Sequence, residues 1–313
     1  MSRYSILSRS DLEALHEATL NFMESYGVCV FGKEAQEILS AGGCQVDKAT
    51  GKVRFPRNLV NDCIKSVPSS VPLHGRASLE PMTGTDFVSF TTFGTGVVVI
   101  DPYTGERRDS TLQDLRDITR FADAVPEVDL VTIPVAAQDV TEEIKELYET
   151  EALYENTIKP IAGGTEGGEN TRSVIRIAAA VAGGAEELRK KPNITLTTCP
   201  NSPLEIHESG SEQIIECAKV GLPHCILSMG LAGGTTPVTL AGTLLVTNCE
   251  ILAGIVLGQL VNKGFPMYYG SSTTIMDLKL MTSPVGAPEH AMISAAVTEI
   301  GAFYGIPTDV GGT

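Results

Sequence analysis

Short apolar segments alternate with longer amphipathic segments over most of the chain. From residue 112 onward, six apolar segments bounded by proline or glycine each follow a segment with apolar positions at helical spacing. Strands that alternate with helices in this way predict a parallel β-sheet. The predicted helices are 112–124, 142–156, 170–182, 207–220, 238–261 and 288–304, and the strands that follow them are 128–133, 158–162, 193–198, 224–228, 266–269 and 307–310.

Residues 1–80 form a separate predicted unit in front of this alternation. Ser10 and Glu13 fit the capping box of a first helix, and Gly27 fits its end. The chain is therefore predicted to divide into an N-terminal helical and hairpin extension, 1–80, and a larger α/β domain, 81–313. The remaining predicted elements of the extension are a helix over 33–40, a hairpin over 46–53 and a helix over 57–66.

The parallel strands can form an open sheet or a closed barrel. An open dinucleotide-binding sheet carries GxGxxG between its first strand and helix, whereas here Gly94 and Gly96 lead into another strand, 97–100. Polar, glycine-rich loops follow nearly every strand, which favours a TIM-type (β/α)8 barrel. A further strand over 87–93 brings the count to seven of eight. We therefore expect a barrel that is incomplete at the C-terminus, since the sequence stops at Thr313.

Composition and charge narrow the classes of partner. The 313-residue chain has a formal net charge of −15, which argues against nucleic acid because such sites need clustered Lys and Arg. Its seven cysteines form no CxxC pair, so we expect a cytoplasmic location and no metal site. The chain opens on a polar segment rather than a secretory signal. The most apolar segment, 241–261, contains Glu250, which indicates a buried helix rather than a membrane span.

In a barrel, the residues just after each strand are the candidates for an active site. Glu205 ends one such loop, where a carboxylate suits acid–base chemistry or a cationic substrate; the alternative is a first-turn glutamate that the helix dipole favours. Tyr268 and Tyr269 end a strand, so one should face the barrel mouth and the other the helices. An aromatic ring at the mouth suits an ammonium group, and core packing is the alternative.

A glycine- and threonine-rich loop precedes the predicted helix 238–261. Backbone N–H groups and hydroxyls of Gly233, Gly234, Thr235 and Thr236 could hold an anion there. The alternative is a tight turn in which Thr235 or Thr236 caps the following helix. The residue pattern alone leaves both interpretations open.

Several of these loops carry motifs that closely resemble the trimethylamine methyltransferase family. The resemblance covers essentially the whole chain. It is most specific over 227–304. The motifs are TFGTG at 92–96, CPNSPLE at 199–205, GGTTPVTLAGT at 233–243, YGSSTT at 269–274 and APE at 287–289.

The resemblance implies a (β/α)8 barrel that moves a methyl group from a methylamine to the cobalt of a partner corrinoid protein. In the family's trimethylamine enzymes, pyrrolysine directly follows a strand that ends in Gly-Thr. Here 311–313 reads Gly-Gly-Thr, so pyrrolysine is expected immediately after Thr313. The sequence is then interpreted as truncated where an amber codon was read as stop, and the 313-residue chain is expected to be inactive.

The resemblance also assigns expected roles to residues and partners. Glu205 is the expected catalytic residue. We expect no tightly bound cofactor, a trimethylamine-specific corrinoid protein as partner, a homo-oligomer, and a place in methylamine metabolism or methanogenesis. The expected substrate-binding residues are Phe93, Met229, Tyr269, Ser271 and Ser272, and those facing an anion or the corrinoid are Gly233, Gly234, Thr235 and Thr236.

Three other functions stay open at this point. A relative without pyrrolysine could act on a quaternary amine such as glycine betaine. A phosphate-binding barrel lyase or aldolase would need a Schiff-base lysine at a strand end, and the regular strands offer only Lys159, early in its strand. A non-catalytic fragment that binds a corrinoid partner is the third.

Overall fold

The computed structural model describes residues 5–76 and 88–311. The start of the predicted strand 87–93, the predicted domain boundary at 80 and 81, and Thr313 lie outside the described residues. The helices are α1 (Arg9–Ser25), α2 (Lys33–Ala41), α3 (Arg57–Ser66), α4 (Leu112–Ala124), α5 (Lys145–Asn156), α6 (Gly167–Ala182), α7 (Ala185–Lys190), α8 (Glu208–Val220), α9 (Leu240–Val261) and α10 (Pro288–Tyr304). The strands are β1 (Val28–Val30), β2 (Gln45–Asp47), β3 (Lys52–Arg54), β4 (Val98–Ile100), β5 (Arg107–Asp109), β6 (Val131–Thr132), β7 (Ile161–Gly163), β8 (Ile194–Thr198), β9 (Glu205–Ile206), β10 (His224–Ser228), β11 (Leu231–Ala232), β12 (Met267–Ser271), β13 (Thr274–Ile275) and β14 (Thr308–Val310).

The alternation of strands and helices predicted from residue 112 onward is confirmed, with three corrections. Of residues 88–93, only Thr91 makes a strand-like bridge, to Leu130. The strand predicted over 128–133 is shortened to β6. The two-residue strands β9, β11 and β13, together with β5 and α7, were not predicted because so short a segment carries no periodicity.

The N-terminal cap of α1 lies two residues earlier than predicted. Ser8 is the cap: its hydroxyl accepts from the Asp11 N–H at 3.2 Å, and the Asp11 carboxylate accepts from the Ser8 N–H at 2.9 Å. This reciprocal pair is the capping box. Glu13 instead pairs with Arg9 across one turn, with 2.7 Å between Nε and Oε1.

The chain divides into two compact units. The larger contains Met1–Ser70 and Thr198–Thr313, and the smaller contains Val71–Thr197. In the larger unit, β9 pairs parallel with β1, with Cys29 opposite Glu205, and completes a sheet of order β2-β3-β1-β9. The N-terminal segment therefore shares its sheet with a strand from the second half of the chain.

A second sheet of the larger unit consists of the parallel strands β10, β12 and β14. Ile226 lies opposite Tyr269 between β10 and β12, and Gly270 lies opposite Asp309 between β12 and β14. Helix α9 packs against β10 and β12 on one side and against α1, α2 and α3 on the other. A helix enclosed in this way needs apolar residues all round, and the buried helix predicted over 241–261 is confirmed. By length and composition it could cross a membrane, but 78% of its most apolar window is buried in the protein.

The smaller unit has the same α/β character. Strands β6, β7 and β8 pair in parallel, with Val131 opposite Ile161 and Ile161 opposite Ile194, and β4 pairs antiparallel with β5. A second capping box begins α4, where the Thr111 hydroxyl accepts from the Asp114 N–H at 3.3 Å. The fold class is therefore α/β, with parallel strands joined by helices in both units.

Candidate functional site

The β10-β12-β14 sheet has one face against helices and one face opposite them. Tyr269 lies on the helix face: its side chain is 0% exposed, and its hydroxyl donates to Asn248 Oδ1 of α9 at 2.9 Å. Its ring also lies 6.0 Å from that of Tyr304 on α10, between centroids. The expectation that Tyr269 lines the barrel mouth is therefore wrong. Because successive side chains alternate along a strand, the residue that faces away from the helices is Tyr268.

Three side chains meet on the face opposite the helices. Cys225 comes from β10, Tyr268 from β12 and Asp309 from β14. The Cys225 thiol lies 3.8 Å from Asp309 Oδ2. Gly270 lies between them in register, and a Cβ there would stand 2.5 Å from Cys225 Sγ and 2.9 Å from Leu227 Cδ1. Glycine at 270 therefore leaves the room in which the thiol and the carboxylate approach each other.

Burial controls the protonation of this cluster. Burial raises the pKa of Asp309, and the hydrogen bond with Cys225 partly opposes that rise. Burial also raises the pKa of Cys225 well above its ordinary value, with a further contribution from the charge of Asp309, and it raises the pKa of Tyr268. In the described part of the chain, no Lys or Arg forms an ion pair with Asp309. A carboxylate this enclosed is electrostatically undercompensated.

The loops at the carboxyl ends of β10 and β12 are joined to each other. Ser272 N–H donates to the Ser228 carbonyl at 2.9 Å. The Ser271 side chain is buried, and its hydroxyl accepts from Thr273 N–H at 3.1 Å, so it is used inside the turn. Met229, directly after β10, is 48% exposed. Of the expected substrate-binding residues, Met229 and Ser272 thus lie together at this edge.

The loop that contains Glu205 follows β8. The Glu205 carboxylate is half-buried and accepts from Asn201 Nδ2 at 3.3 Å. It lies outside α8, whose first turn carries Glu208 and whose N-terminal cap is His207. The alternative assignment of Glu205 as a first-turn glutamate is therefore wrong.

A second carboxylate, from the middle of α9, anchors this same loop. Glu250 Oε1 accepts from Leu204 N–H at 2.8 Å, and Oε2 accepts from the hydroxyls of Ser202 and Ser228 at 2.9 and 2.6 Å. Burial raises the pKa of Glu250, and these hydrogen bonds oppose the rise. Glu250 therefore ties the loop after β8 to the end of β10.

The glycine–threonine turn does not offer its N–H groups to an anion. Thr235 and Thr236 both donate to the Leu231 carbonyl, at 2.9 and 3.0 Å, as Gly234 does at 2.9 Å. Gly233, at φ +84°, donates to the Thr236 carbonyl. With these N–H groups bonded inside the turn, the anion-binding prediction for 233–236 is wrong.

The hydroxyls of the same turn are also engaged. Thr235 Oγ1 accepts from Leu231 N–H at 2.9 Å, and Thr236 Oγ1 lies 2.9 Å from Thr243 Oγ1. The residue that caps α9 is Thr239, whose hydroxyl accepts from Gly242 N–H. A tight turn is therefore confirmed, but neither Thr235 nor Thr236 is the cap.

Phe93 belongs to the smaller unit, where its ring is 60% exposed. The neighbouring Thr92 hydroxyl donates to the Thr132 carbonyl at 2.6 Å and fixes the segment beside β6. Phe93 is thus available on the surface of its own unit.

His290 lies in the first turn of α10, against the end of β14. Its Nδ1 accepts from Gly286 N–H at 3.3 Å, and its Nε2 is buried without a hydrogen-bond partner in the described residues. A Cβ at Gly311 would stand 2.7 Å from that Nε2. Across residues 5–76 and 88–311, no cluster of three or more His, Cys, Asp or Glu could hold a metal ion.

With this geometry in hand, the comparisons with known proteins can be stated. A sequence model of the family described as trimethylamine methyltransferase (MTTB) matches residues 1–313. The chain belongs to this family. Its membership accounts for the loop motifs at 92–96, 199–205 and 233–243.

Curated relatives within the family match nearly the whole chain. Trimethylamine methyltransferase MttB of Desulfitobacterium hafniense is 46% identical over 306 residues, which is 97% of this chain and 62% of that protein. A Methanosarcina acetivorans relative with the same description is 39% identical, covering 99% and 64%. Glycine betaine methyltransferase of D. hafniense is 31% identical, covering 100% and 65%. The chain spans less than two thirds of the length of these relatives.

The fold also resembles a solved structure. The monomethylamine methyltransferase MtmB of Methanosarcina barkeri matches with a TM-score of 0.56 at 12% sequence identity, over 99% of this chain and 69% of that one. At that identity the likeness concerns the fold alone.

Sequence reasoning missed Asp309, Tyr268 and Glu250 as site residues. A signal existed for two of them, because a lone acidic residue inside an apolar strand or helix needs a reason to be buried. For Tyr268 the signal is weaker: Met267 and Tyr269 share one face of β12, but the sequence does not say which face meets the helices.

Proposed function

We propose that the protein transfers a methyl group from trimethylamine to the Co(I) of a partner corrinoid protein. The observation that carries this proposal is the family match over residues 1–313. The two relatives described as trimethylamine methyltransferases are 46% and 39% identical, compared with 31% for the glycine betaine enzyme, and this order favours trimethylamine over the quaternary amine.

The reaction requires a particular environment from this chain. The amine must leave as a neutral molecule, so the nitrogen that loses its methyl group has to carry positive charge beforehand. The residues must therefore bind an ammonium ion, keep water away and present one methyl group to the acceptor. The corrinoid of the partner protein is the methyl acceptor and, in this proposal, a substrate rather than a resident cofactor.

The proposed setting is a TIM-type barrel in the cytoplasm, whose acceptor site lies at the carboxyl ends of the strands. The parallel strands of both units and the likeness to monomethylamine methyltransferase support the barrel. All seven cysteines are free, as suits a reducing compartment. A homo-oligomer and a trimethylamine-specific corrinoid partner belong to the same proposal.

Glu205 is the proposed catalytic carboxylate. It ends the loop after β8, is half-buried, and accepts one weak hydrogen bond, from Asn201. Its carboxylate therefore keeps acceptor capacity for a cation. Glu250, by contrast, uses both oxygens to hold that loop.

A spectroscopic assay tests the proposed function directly. Full-length protein is mixed with a corrinoid protein in the Co(I) state and with either trimethylamine or glycine betaine, and the absorbance of methyl-cobalt is followed. We expect methyl-cobalt to form with trimethylamine at a rate at least tenfold above that with glycine betaine. Faster reaction with glycine betaine would favour the quaternary-amine function. No reaction with either substrate would contradict the proposal.

The phosphate-binding lyase gains no support from the structure, because the turn at 233–236 spends its N–H groups internally. Lys159, the lysine considered for a Schiff base, donates to the carbonyls of Ala122 and Val125 at 2.8 and 2.6 Å. An amine held in this way is a structural anchor.

A further inference from the structure

We propose that Asp309 and Tyr268 form the binding site for a methylated ammonium ion, on the face of the β10-β12-β14 sheet opposite the helices. The proposal rests on the proposed function only for the identity of the physiological ion, trimethylammonium. The site itself is argued from the side chains and from the space between them.

Asp309 is a buried carboxylate that lacks a cationic partner in the described part of the chain. The contact printed for its carboxylate is the Cys225 thiol, 3.8 Å from Oδ2, and a thiol is a weak donor. Protein interiors pair an enclosed carboxylate with a cation or with several donors. Because neither is present, the missing positive charge is supplied by a ligand.

Tyr268 places an aromatic ring beside that carboxylate. Gly270 lies opposite Asp309 in register, so Tyr268, two residues earlier, is a diagonal neighbour on the same face. The charge of Asp309 contributes to the raised pKa of Tyr268, which shows that the two groups interact. A carboxylate next to a ring face binds a cation by charge and by the ring quadrupole together.

Gly270 supplies the space. Its missing side chain leaves the volume bounded by Cys225 Sγ and Leu227 Cδ1. Around the carboxylate the surfaces are therefore a thiol, an aliphatic side chain and a ring, none of which is a strong hydrogen-bond donor or acceptor for a metal or a sugar. A methylated ammonium ion, which is positively charged but apolar at its surface, suits such walls.

A metal ion suits this cluster less well. Hard cations take six or more oxygen ligands, and zinc takes four ligands from Cys, His and carboxylates. In the ranges that the structure describes, no group of three such side chains is close enough to bind one. The cluster offers one carboxylate and one thiol of raised pKa.

Binding of tetramethylammonium, a cation that cannot lose a proton, tests the proposal without turnover. Its dissociation constant for the full-length protein is measured by calorimetry for the wild type and for Asp309→Asn. We expect at least a tenfold rise in the variant, because the amide keeps the shape but removes the charge. The neutral analogue tert-butanol should bind equally to both. Asp62→Asn, on the exposed surface of α3, is the matched charge control and should change neither value.

Two substitutions at Tyr268 separate the ring from its hydroxyl. Tyr268→Phe keeps the ring and should leave the affinity for tetramethylammonium within about twofold. Tyr268→Leu removes it and should weaken binding by about tenfold. Circular dichroism and thermal melting monitor folding, and Asp309→Asn is expected to melt no lower than the wild type because it removes an uncompensated buried charge. Unchanged affinity in both Asp309→Asn and Tyr268→Leu would overturn the proposal.

The pH dependence of binding gives a further readout. Protonation of Asp309 removes the attractive charge, so affinity for tetramethylammonium should fall as pH falls through its raised pKa. Cys225 and Tyr268, which face Asp309 from β10 and β12, have raised pKa values and stay neutral in that range. On the helix side, burial lowers the pKa of His290, which packs against Gly311. The pH dependence should vanish in Asp309→Asn.

Failure of the site and failure of the proposed function give different results. If the wild type binds tetramethylammonium through Asp309 but forms no methyl-cobalt with any amine, the site stands and the proposed function fails. If trimethylamine is turned over at the wild-type KM in Asp309→Asn, the function stands and the site is wrong.

Discussion

The hydroxyl of Tyr269 donates a 2.9 Å hydrogen bond to Oδ1 of Asn248, deep between β12 and α9. The amide nitrogen of Asn248 donates in turn to the hydroxyls of Thr19 on α1 and Tyr304 on α10, at 2.9 and 2.8 Å. One asparagine thus links a strand and three helices of the larger unit. This network explains why Tyr269 cannot also serve a ligand at the opposite face of the sheet.

Tyr269→Phe should lower the free energy of unfolding by about 1–3 kcal/mol, because it leaves Asn248 Oδ1 buried without its donor. Substrate KM should stay the same, since the ring faces the helices. Urea denaturation measures the first effect and steady-state kinetics the second. Tyr103→Phe, at a side chain that is 95% exposed, is the control and should change neither. A KM that rises in Tyr269→Phe while stability holds would return Tyr269 to the substrate site.

Glu250→Ala should destabilise the protein by about 2–4 kcal/mol, since three buried donors lose their acceptor. Glu250→Gln should lose about half of that, because its amide oxygen can still accept from Leu204 N–H. Hydrogen exchange of residues 199–206 should become faster in both variants. Glu24→Gln on the exposed face of α1 is the matched control. Unaltered exchange in Glu250→Ala would show that the loop does not depend on this anchor.

Glu146 predicts a stability that depends on pH. Burial raises its pKa from 4.5 to about 7, Oε1 accepts from Glu166 N–H at 2.7 Å, and Oε2 is buried without a partner in the described residues. Between those two pH values the folded protein binds more protons than the unfolded chain, so stability falls as pH rises through this window.

Glu146→Gln should remove this component, which is about 1–2 kcal/mol after allowance for solvent screening. Urea midpoints measured from pH 5 to pH 8 should therefore decline less in the variant than in the wild type. The exposed neighbour Glu143, changed to Gln, controls for the loss of one charge. Parallel profiles for Glu146→Gln and wild type would contradict the assignment.

Glu205→Gln should lower kcat/KM for trimethylamine by at least about tenfold if its carboxylate serves the reacting amine, with an unchanged circular dichroism spectrum. Glu208→Gln, three residues later in the exposed first turn of α8, removes the same charge and should be silent. Wild-type kinetics in Glu205→Gln would limit this residue to its place in β9.

Local signals predicted much of the fold. The bounds of α3, α4, α10 and β10 follow from apolar spacing and from breakers, such as Pro288 at the start of α10 and Gly305, at φ +70°, after its end. The pairing of β1 with β9 was not predictable, because two residues of strand carry no period and their partner is remote in sequence.

The candidate site was harder to predict than the fold for a physical reason. A strand's alternation divides Tyr268 from Tyr269, but only packing shows which side the helices occupy. Similarly, a glycine–threonine turn resembles an anion site in sequence, and only the direction of its N–H groups toward the Leu231 carbonyl shows otherwise.

The parallel pairing of β1 with β9 has a consequence for synthesis of the protein. Cys29 leaves the ribosome long before its partner Glu205 does, and α9, which packs against α1, α2 and α3, comes later still. Closing so long a loop is slow, because its entropy is lost before its contacts form. The first seventy residues therefore remain without their sheet partner and core helix during most of translation, when the apolar side chains of Val28 and Val30 are open to chaperones.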